Sequence, residues 1–371
     1  MIEFVVAVPA DTDPAAQVWL AGSLEAVGSW RADGLCLERQ PDGRYRGTIR
    51  LPVGRPLEYK ITRGSWATVE KDARGGEIAN RLLTVEGDAK VEIKVASWGR
   101  QPATQPRPSV SGDIRYHHEF ASRHLKNQRT LAVYLPPDYD RHPDARYPVL
   151  YLHDGQNVFD AATSFLGVEW QADETAERLI RAGRIHPLIM VGVYNTPKRV
   201  DEYTFCRDER RQAGGDARNY ARFLVEEVKP FIDRTYRTRP GREDTAVAGS
   251  SLGGLVSLCL CRWHPETFSM CGALSPSLMW ADRRLLKECR EDHAWMKRTR
   301  FWLDMGTLET RQIATYNTAI ADARAWVGLF DEAGLIPGRD YYYAEVFEGE
   351  HNEAHWAARF DKVLLFFFGK R

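Results

Sequence analysis

The chain has 371 residues, enough for two or three domains and a sizeable core. Its 51 Lys plus Arg balance its 51 Asp plus Glu, so no net field draws it to nucleic acid or to an anionic membrane, and neither is expected as a partner. No stretch approaches the roughly eighteen apolar residues that span a bilayer, and "MIEFVVAVPADTDP" lacks basic residues before its short apolar run, so a cytoplasmic location is expected.

Residues 1–98 contain seven β-rich runs, "IEFVVAV", "QVWLAGS", "GLCLERQ", "RYRGTIRL", "LEYKITRG", "NRLLTVE" and "VEIKVASW", separated by Pro, Gly and Asp punctuation. This spacing predicts a small all-β sandwich. Residues 99–113, "GRQPATQPRPSVSGD", carry three prolines and almost no large apolar side chain, the composition of an extended linker. Six cysteines, Cys36, Cys206, Cys259, Cys261, Cys271 and Cys289, lack CxxC spacing and are expected to be reduced, buried and inert, without metal or disulfide.

Over 114–371 the rhythm changes to strands alternating with amphipathic helices. "RTLAVYLP" and "YPVLYLHDG" precede a helical "EWQADETAERLIRAG"; "LIMVGVYN" precedes a long helix, "DARNYARFLVEEVKPFIDRTY". "TAVAGS" is a buried strand and "LGGLVSLCLCRW" a helix, followed by strands at "FSMCGALSP", "RFWLDMG" and "YYYAEVFEG". The fold class implied is α/β, a mostly parallel sheet with helices on both faces.

In such sheets chemistry gathers at the carboxyl ends of strands. "TAVAGS" ends in Gly249-Ser250-Ser251-Leu252-Gly253, a match to G-x-S-x-G, in which a sharp strand-to-helix turn exposes the central serine between neighbours too small to collide with it. Ser251 is then the exposed hydroxyl and Ser250 fills the turn; the plainer reading is a tight turn without chemistry. A serine needs a base, and the base an orienting acid. Downstream, "RFWLDMGTLET" offers Asp304 within the strand and Glu309 in the loop beyond it, of which Glu309 is favoured. "FEGEHNEAHW" offers His351 directly after a turn, favoured over His355 one helical turn later. Developing negative charge on the reacting oxygen needs backbone donors: Leu252 N–H at the helix start and Gln156 N–H in "HDGQN", unless that segment is only a β-turn. The pair His117-His118 is expected to decorate a strand rather than to bind metal.

With these residues in view, "VLYLHDGQNVFDAATSFLGVEWQADET", "AVAGSSLGGLVSL" and "EGEHNEAHW" resemble the esterase D-like branch of the α/β-hydrolases, which includes feruloyl esterases, S-formylglutathione hydrolases, antigen 85 mycolyltransferases and trilactone siderophore esterases. The resemblance spans roughly residues 115–368. It implies Ser251 as nucleophile, His351 as general base, Glu309 as acid, and Gln156 with Leu252 as oxyanion hole, with no metal or cofactor required. The family's Gly-Gly-His appears as Gly349-Glu350-His351, and Trp356 follows. "KRVDEYTF" resembles a family segment lining the site, which nominates Arg199, Glu202 and Tyr203 for substrate contact, unless an Arg–Glu pair merely pins the loop. Among aromatic residues near strand ends, Phe159, Phe165, Trp170, Tyr194 and Trp280 are candidates for an aryl-acyl pocket, and Arg199 and Arg207 for an anionic or catecholate substrate.

The first domain resembles a family-20 starch-binding module, through "VWLAGSLEAVGSW", "LEYKITRGSW" and "ANR". That resemblance implies glycan contact by Trp30, Lys60, Trp66 and Asn80, with the alternative that the domain only shapes the ester site. The function implied is a serine carboxylic-ester hydrolase acting on a small-molecule ester of feruloyl or siderophore type. The alternatives are acyl transfer, or a glycan-binding protein with a non-catalytic hydrolase scaffold.

Overall fold

In the computed structural model, which describes residues 1–370 apart from Ser29, Pro52, Arg55, Arg74, Gly76, Glu77, Ala79, 100–107, Leu166, 310–312 and the side chains of 313–317, the chain divides into two units. One is Met1–Gln105 with Glu209–Gln212, the other Pro106–Asp208 with Ala213–Arg371.

The first unit is built from β1 (Ile2–Ala7), β2 (Val18–Gly22), β3 (Leu35–Arg39), β4 (Tyr45–Ile49), β5 (Pro56–Thr62), β6 (Glu70–Lys71), β7 (Arg81–Thr84), β8 (Ala89–Lys94) and β9 (Ser97–Trp98). Seven of these pair in the order β7-β5-β2-β3-β4-β1-β8, and β6 pairs with β9. In a flat sheet β5 and β1, four strand spacings apart, would lie about 19 Å from one another. Instead Phe4 of β1 and Tyr59 of β5 meet edge-on with ring centroids 5.4 Å apart. The order therefore folds over one core, in which Ile2, Phe4, Val18, Leu20, Leu57 and Ile61 are buried, and the unit is a sandwich.

The second unit contains β10 (Asp113–Ala121), β11 (Gln128–Leu135), β12 (Val149–His153), α1 (Ala172–Arg181), β13 (Ile189–Val193), α2 (Arg199–Glu202), α3 (Ala217–Arg222) and α4 (Lys229–Thr235). It continues with β14 (Thr245–Ser250), α5 (Leu252–Trp263), β15 (Met270–Leu274), α6 (Trp280–Glu291), β16 (Arg300–Leu308), α7 (Ile313–Glu332), β17 (Tyr341–Glu350) and α8 (Glu353–Phe368). The strand order is β10-β11-β13-β12-β14-β15-β16-β17. β10 and β11 pair antiparallel, as do β11 and β13, and every later pair is parallel. The long helix expected over 216–236 is α3 and α4 joined through a π-helical turn at Phe223–Val228.

Alternation along β12 shows why both faces are covered. Val149 and Tyr151 enter a core shared with α5, α6 and α7. Leu150 and Leu152 enter the opposite core with α1 and α8. Because the chain runs from β12 to β13 on one side and to β14 on the other, strand order reverses between β12 and β14, and a crevice opens at their carboxyl ends.

Two expectations need correction. The linker reading falls largely on residues 100–107, outside the described residues, but its end is not free. Ser109 N–H donates to Asp160 Oδ1 at 3.2 Å, Ser111 N–H donates to Asp173 Oδ2 at 2.6 Å, and β10 already begins at Asp113. Short polar residues without apolar bulk still dock where buried carboxylates need donors. All six cysteines are free, but Cys36 is exposed rather than buried, since it lies on the outer face of β3.

Candidate active site

The serine sits where G-x-S-x-G predicts a strained turn. Ser251 caps α5 with φ 58° and ψ −123°, a left-handed conformation that costs a non-glycine residue about 1–3 kcal/mol. A Cβ on Gly249 would stand 2.8 Å from the carbonyl carbon of Gly253, and one on Gly253 would stand 3.2 Å from His153 Cβ, so side chains at either position would crowd the turn. Ser250 is buried in β14 and Ser251 half-buried at its tip.

Across the parallel strands, Glu309 lies one residue past β16 and His351 one past β17. Glu309 Oε2 and His351 Nδ1 form a short hydrogen bond. Glu309 Oε1 accepts from Ser275 Oγ at 2.5 Å and from Gly306 N–H at 2.6 Å. Burial works against ionisation of Glu309, but His351 and these donors outweigh it and hold the carboxyl below its ordinary range. Trp356 lies edge-on to the imidazole, centroids 5.0 Å apart at 84°. His355 is in the first turn of α8, its N–H donated to Asn352 Oδ1 at 3.1 Å.

Asp304 has a different environment. It is fully buried, paired with Arg359 Nη2 at 2.8 Å, and accepts from Trp302 Nε1 at 2.7 Å and Ser275 N–H at 3.1 Å. Its partners are structural, and burial raises its pKa.

The turn after β15 was not singled out from sequence, although "SPS" following a strand end was a signal for it. Ser251 N–H donates to Leu274 O and Ser277 N–H donates to Ser251 O, each at 3.0 Å. Ser277 Oγ lies 3.3 Å from Ser251 Oγ. Ser275 accepts from Arg359 Nη2 at 2.6 Å and Trp356 Nε1 at 3.2 Å while donating to Glu309. One four-residue turn thus grips both the serine elbow and the carboxylate.

Gln156 lies in a 3-10 turn, Gly155–Asn157, directly after β12, and its Oε1 accepts from Asn195 N–H at 3.1 Å. Leu252 N–H opens α5, where the first N–H groups have no acceptor within the helix. β12 and β14 pair directly, so these two turns stand side by side at the crevice.

Arg199 makes a two-pronged ion pair with Asp154, Nε to Oδ1 and Nη2 to Oδ2, both 2.7 Å, and Asp154 also accepts from Asn195 Nδ2 at 2.6 Å. Arg199 therefore braces the Gln156 turn. The reading of Glu202 and Tyr203 as substrate contacts is corrected by their burial. Glu202 pairs with buried Arg129 at 2.9 Å, and the Tyr203 hydroxyl accepts from Asp154 N–H at 3.2 Å. Trp170, Phe159 and Trp280 likewise belong to the core, Trp170 packing 5.6 Å from Phe360. A helix 3.6-fold pattern or a strand-end position cannot distinguish a lining aromatic from a core one. Phe165 is the aromatic of that group that is exposed, at 52%.

In the first unit, the rings of Trp30 and Trp66 stand 6.1 Å apart at 40°. Both are half-buried, Lys60 Nζ donates to Ile78 O at 2.5 Å, and exposed Asn80 donates to Glu58 Oε2 at 3.2 Å. Among the described residues, one group has the spacing of metal ligands, Glu169, Asp173 and Glu174, away from the serine.

Comparison with known proteins agrees with the fold. Ferri-bacillibactin esterase BesA of Bacillus subtilis is 30% identical over 181 residues, covering 44% of this chain and 59% of that protein. An N-terminal segment is 44% identical over 103 residues to an alpha-amylase of Niallia circulans, covering 27% of this chain and 8% of the amylase. The chain thus spans less than two thirds of the length of these relatives. The enterobactin esterase FES from Shigella flexneri, solved with 2,3-di-hydroxy-N-benzoyl-serine, superimposes with a TM-score of 0.56 at 15% identity, covering 98% of this chain and 92% of that one. The model of the Putative esterase family matches residues 122–367, and to that family the chain belongs.

Proposed function

We propose that this protein is a serine carboxylic-ester hydrolase that works through an acyl-enzyme. In this reading Ser251 attacks the acyl carbon and His351 takes its proton, then returns it to the leaving alcohol. Water, activated by the same imidazole, releases the acid. Glu309 holds the imidazole in the tautomer that leaves Nε2 as acceptor, and Gln156 and Leu252 N–H groups receive the oxyanion. The observation that carries the reading is the Glu309–His351 hydrogen bond, tied through one turn to a serine in a strained elbow. Relatives named for siderophore and feruloyl esters favour a bulky aryl or catecholate ester as substrate. Ser251→Ala is expected to abolish hydrolysis of a p-nitrophenyl acyl ester with the fold intact by circular dichroism; undiminished turnover overturns the assignment.

For the first unit we propose glycan contact through the Trp30–Trp66 pair, supported by the ring geometry and by the amylase-like segment.

A further inference from the structure

Three carboxylates converge where the loop that leaves the Gln156 turn meets α1. Glu169 ends the loop that leaves this turn, and Asp173 and Glu174 lie in the first turn of α1. One ligand atom from each lies within 4.8 Å of the others. Glu169 is 4% exposed and Asp173 0%. Ser109 Oγ hydrogen-bonds Glu169 Oε1, and Ser111 N–H hydrogen-bonds Asp173 Oδ2, which satisfies one oxygen on each. The other oxygens, Glu169 Oε2 and Asp173 Oδ1, are buried without a hydrogen-bond partner, as is Glu174 Oε2.

Burying an unpaired carboxylate costs far more than one hydrogen bond returns. The N-terminus of α1, including the Gln171 N–H near Glu169, favours negative charge nearby, but only weakly. Among the described residues no Lys, Arg or His pairs with any of the three.

We propose that Glu169, Asp173 and Glu174 bind a divalent cation, calcium in preference to magnesium. The set is all oxygen, with no His or Cys to suit a softer metal. It joins a loop residue to a helical turn, an irregular geometry that calcium tolerates and magnesium, bound to octahedral order and its own waters, does not. The ion fastens the far end of the loop that begins at Gln156; Trp170 N–H already closes that loop onto Asn157 O at 2.9 Å. It takes no part in bond cleavage, and its effect is on the stability of the second unit.

The full chain tests this at neutral pH by thermal unfolding in chelator, then in about 1 mM calcium or magnesium. Calcium is expected to raise Tm by about 5 °C and magnesium by less. Terbium luminescence sensitised by Trp170, adjacent to Glu169, should appear and be displaced by calcium. Glu174→Gln, which alters the least buried of the three, should weaken the calcium midpoint at least about tenfold. Should the variant fail to fold, terbium binding and the calcium response of the unsubstituted chain still decide. Absence of both calcium and terbium responses, with Tm rising only on acidification, would overturn the proposal in favour of a proton shared by Asp173 and Glu174. A calcium response unchanged in the folded Glu174→Gln chain would overturn it by placing the ion elsewhere.

Discussion

Glu309 meets His351 Nδ1 with one carboxylate oxygen while its other oxygen is held by Ser275 and Gly306, so the carboxylate is fixed on both sides. Replacing Glu309 by Gln keeps the shape and removes the charge. A fall in kcat of roughly a thousandfold with KM little changed is expected in ester hydrolysis. Asp304→Asn should behave differently, lowering Tm because Arg359 loses its buried partner, and leaving measurable kcat. Equal losses of kcat in both variants would argue against Glu309 as the acid.

Ser275 donates to Glu309 and is expected to act through it as a positioning residue. A hydrogen bond to a charged group contributes about 1.5–3 kcal/mol, so Ser275→Ala should cut kcat by roughly ten- to a hundredfold. KM should hold steady, and the acid limb of the pH–rate profile should move to higher pH. A variant that loses only thermal stability would restrict Ser275 to a structural role.

Acid sensitivity has an identifiable source in His153. Burial pushes its pKa down to about 3; Asp154 opposes this and Arg199 adds to it. The unfolded chain therefore binds a proton that the folded chain refuses, between pH about 6.5 and about 3. Stability from this group is complete above about 6.5 and declines as pH falls toward 3, by a few kcal/mol at most. Tm measured from pH 7 to pH 4 should slope downward, and His153→Asn, though less stable at pH 7, should show a flatter slope.

Trp30 and Trp66 are expected to act separately from the chemistry. The double substitution to Ala should remove retardation of the chain on soluble starch in affinity electrophoresis, and leave p-nitrophenyl ester turnover within about twofold. Retardation that survives the substitutions would dismiss the indole pair as the glycan platform.

Much of this was legible in the residues. Seven β-rich runs became the seven strands of the first unit's larger sheet, and the strand–helix alternation became the sheet of the second. Glu309 was preferred to Asp304 because a loop residue can reach across strands while a strand residue is committed to its own face; the structure pairs Glu309 with His351 and Asp304 with Arg359. Glu202, Tyr203 and Trp170 misled because polarity and aromaticity do not reveal burial: Glu202 is interior only because Arg129, seventy-three positions away, meets it there. Ser275 and Ser277 were missed for a similar reason, since short hydroxyl residues after a strand are common and their partners, Arg359 and Glu309 for Ser275 and Ser251 for Ser277, are distant in sequence.

The loop from Val158 to Val168, with Phe165 and Val168 at its surface, shares no residue with the Leu274–Ser277 turn that bonds Ser251 and Glu309. Its middle is tied to the Gln156 turn, through Thr163 Oγ1 to Gln156 O at 2.7 Å and Phe165 N–H to Asn157 Oδ1 at 2.9 Å, and among the described residues makes no hydrogen bond to Ser251, His351 or Glu309. Selectivity and reactivity are then separable by engineering: a library at exposed Ala162 and Phe165, with buried Val158, Phe159 and Asp160 kept, is expected to change ester preference while Ser251-dependent turnover persists.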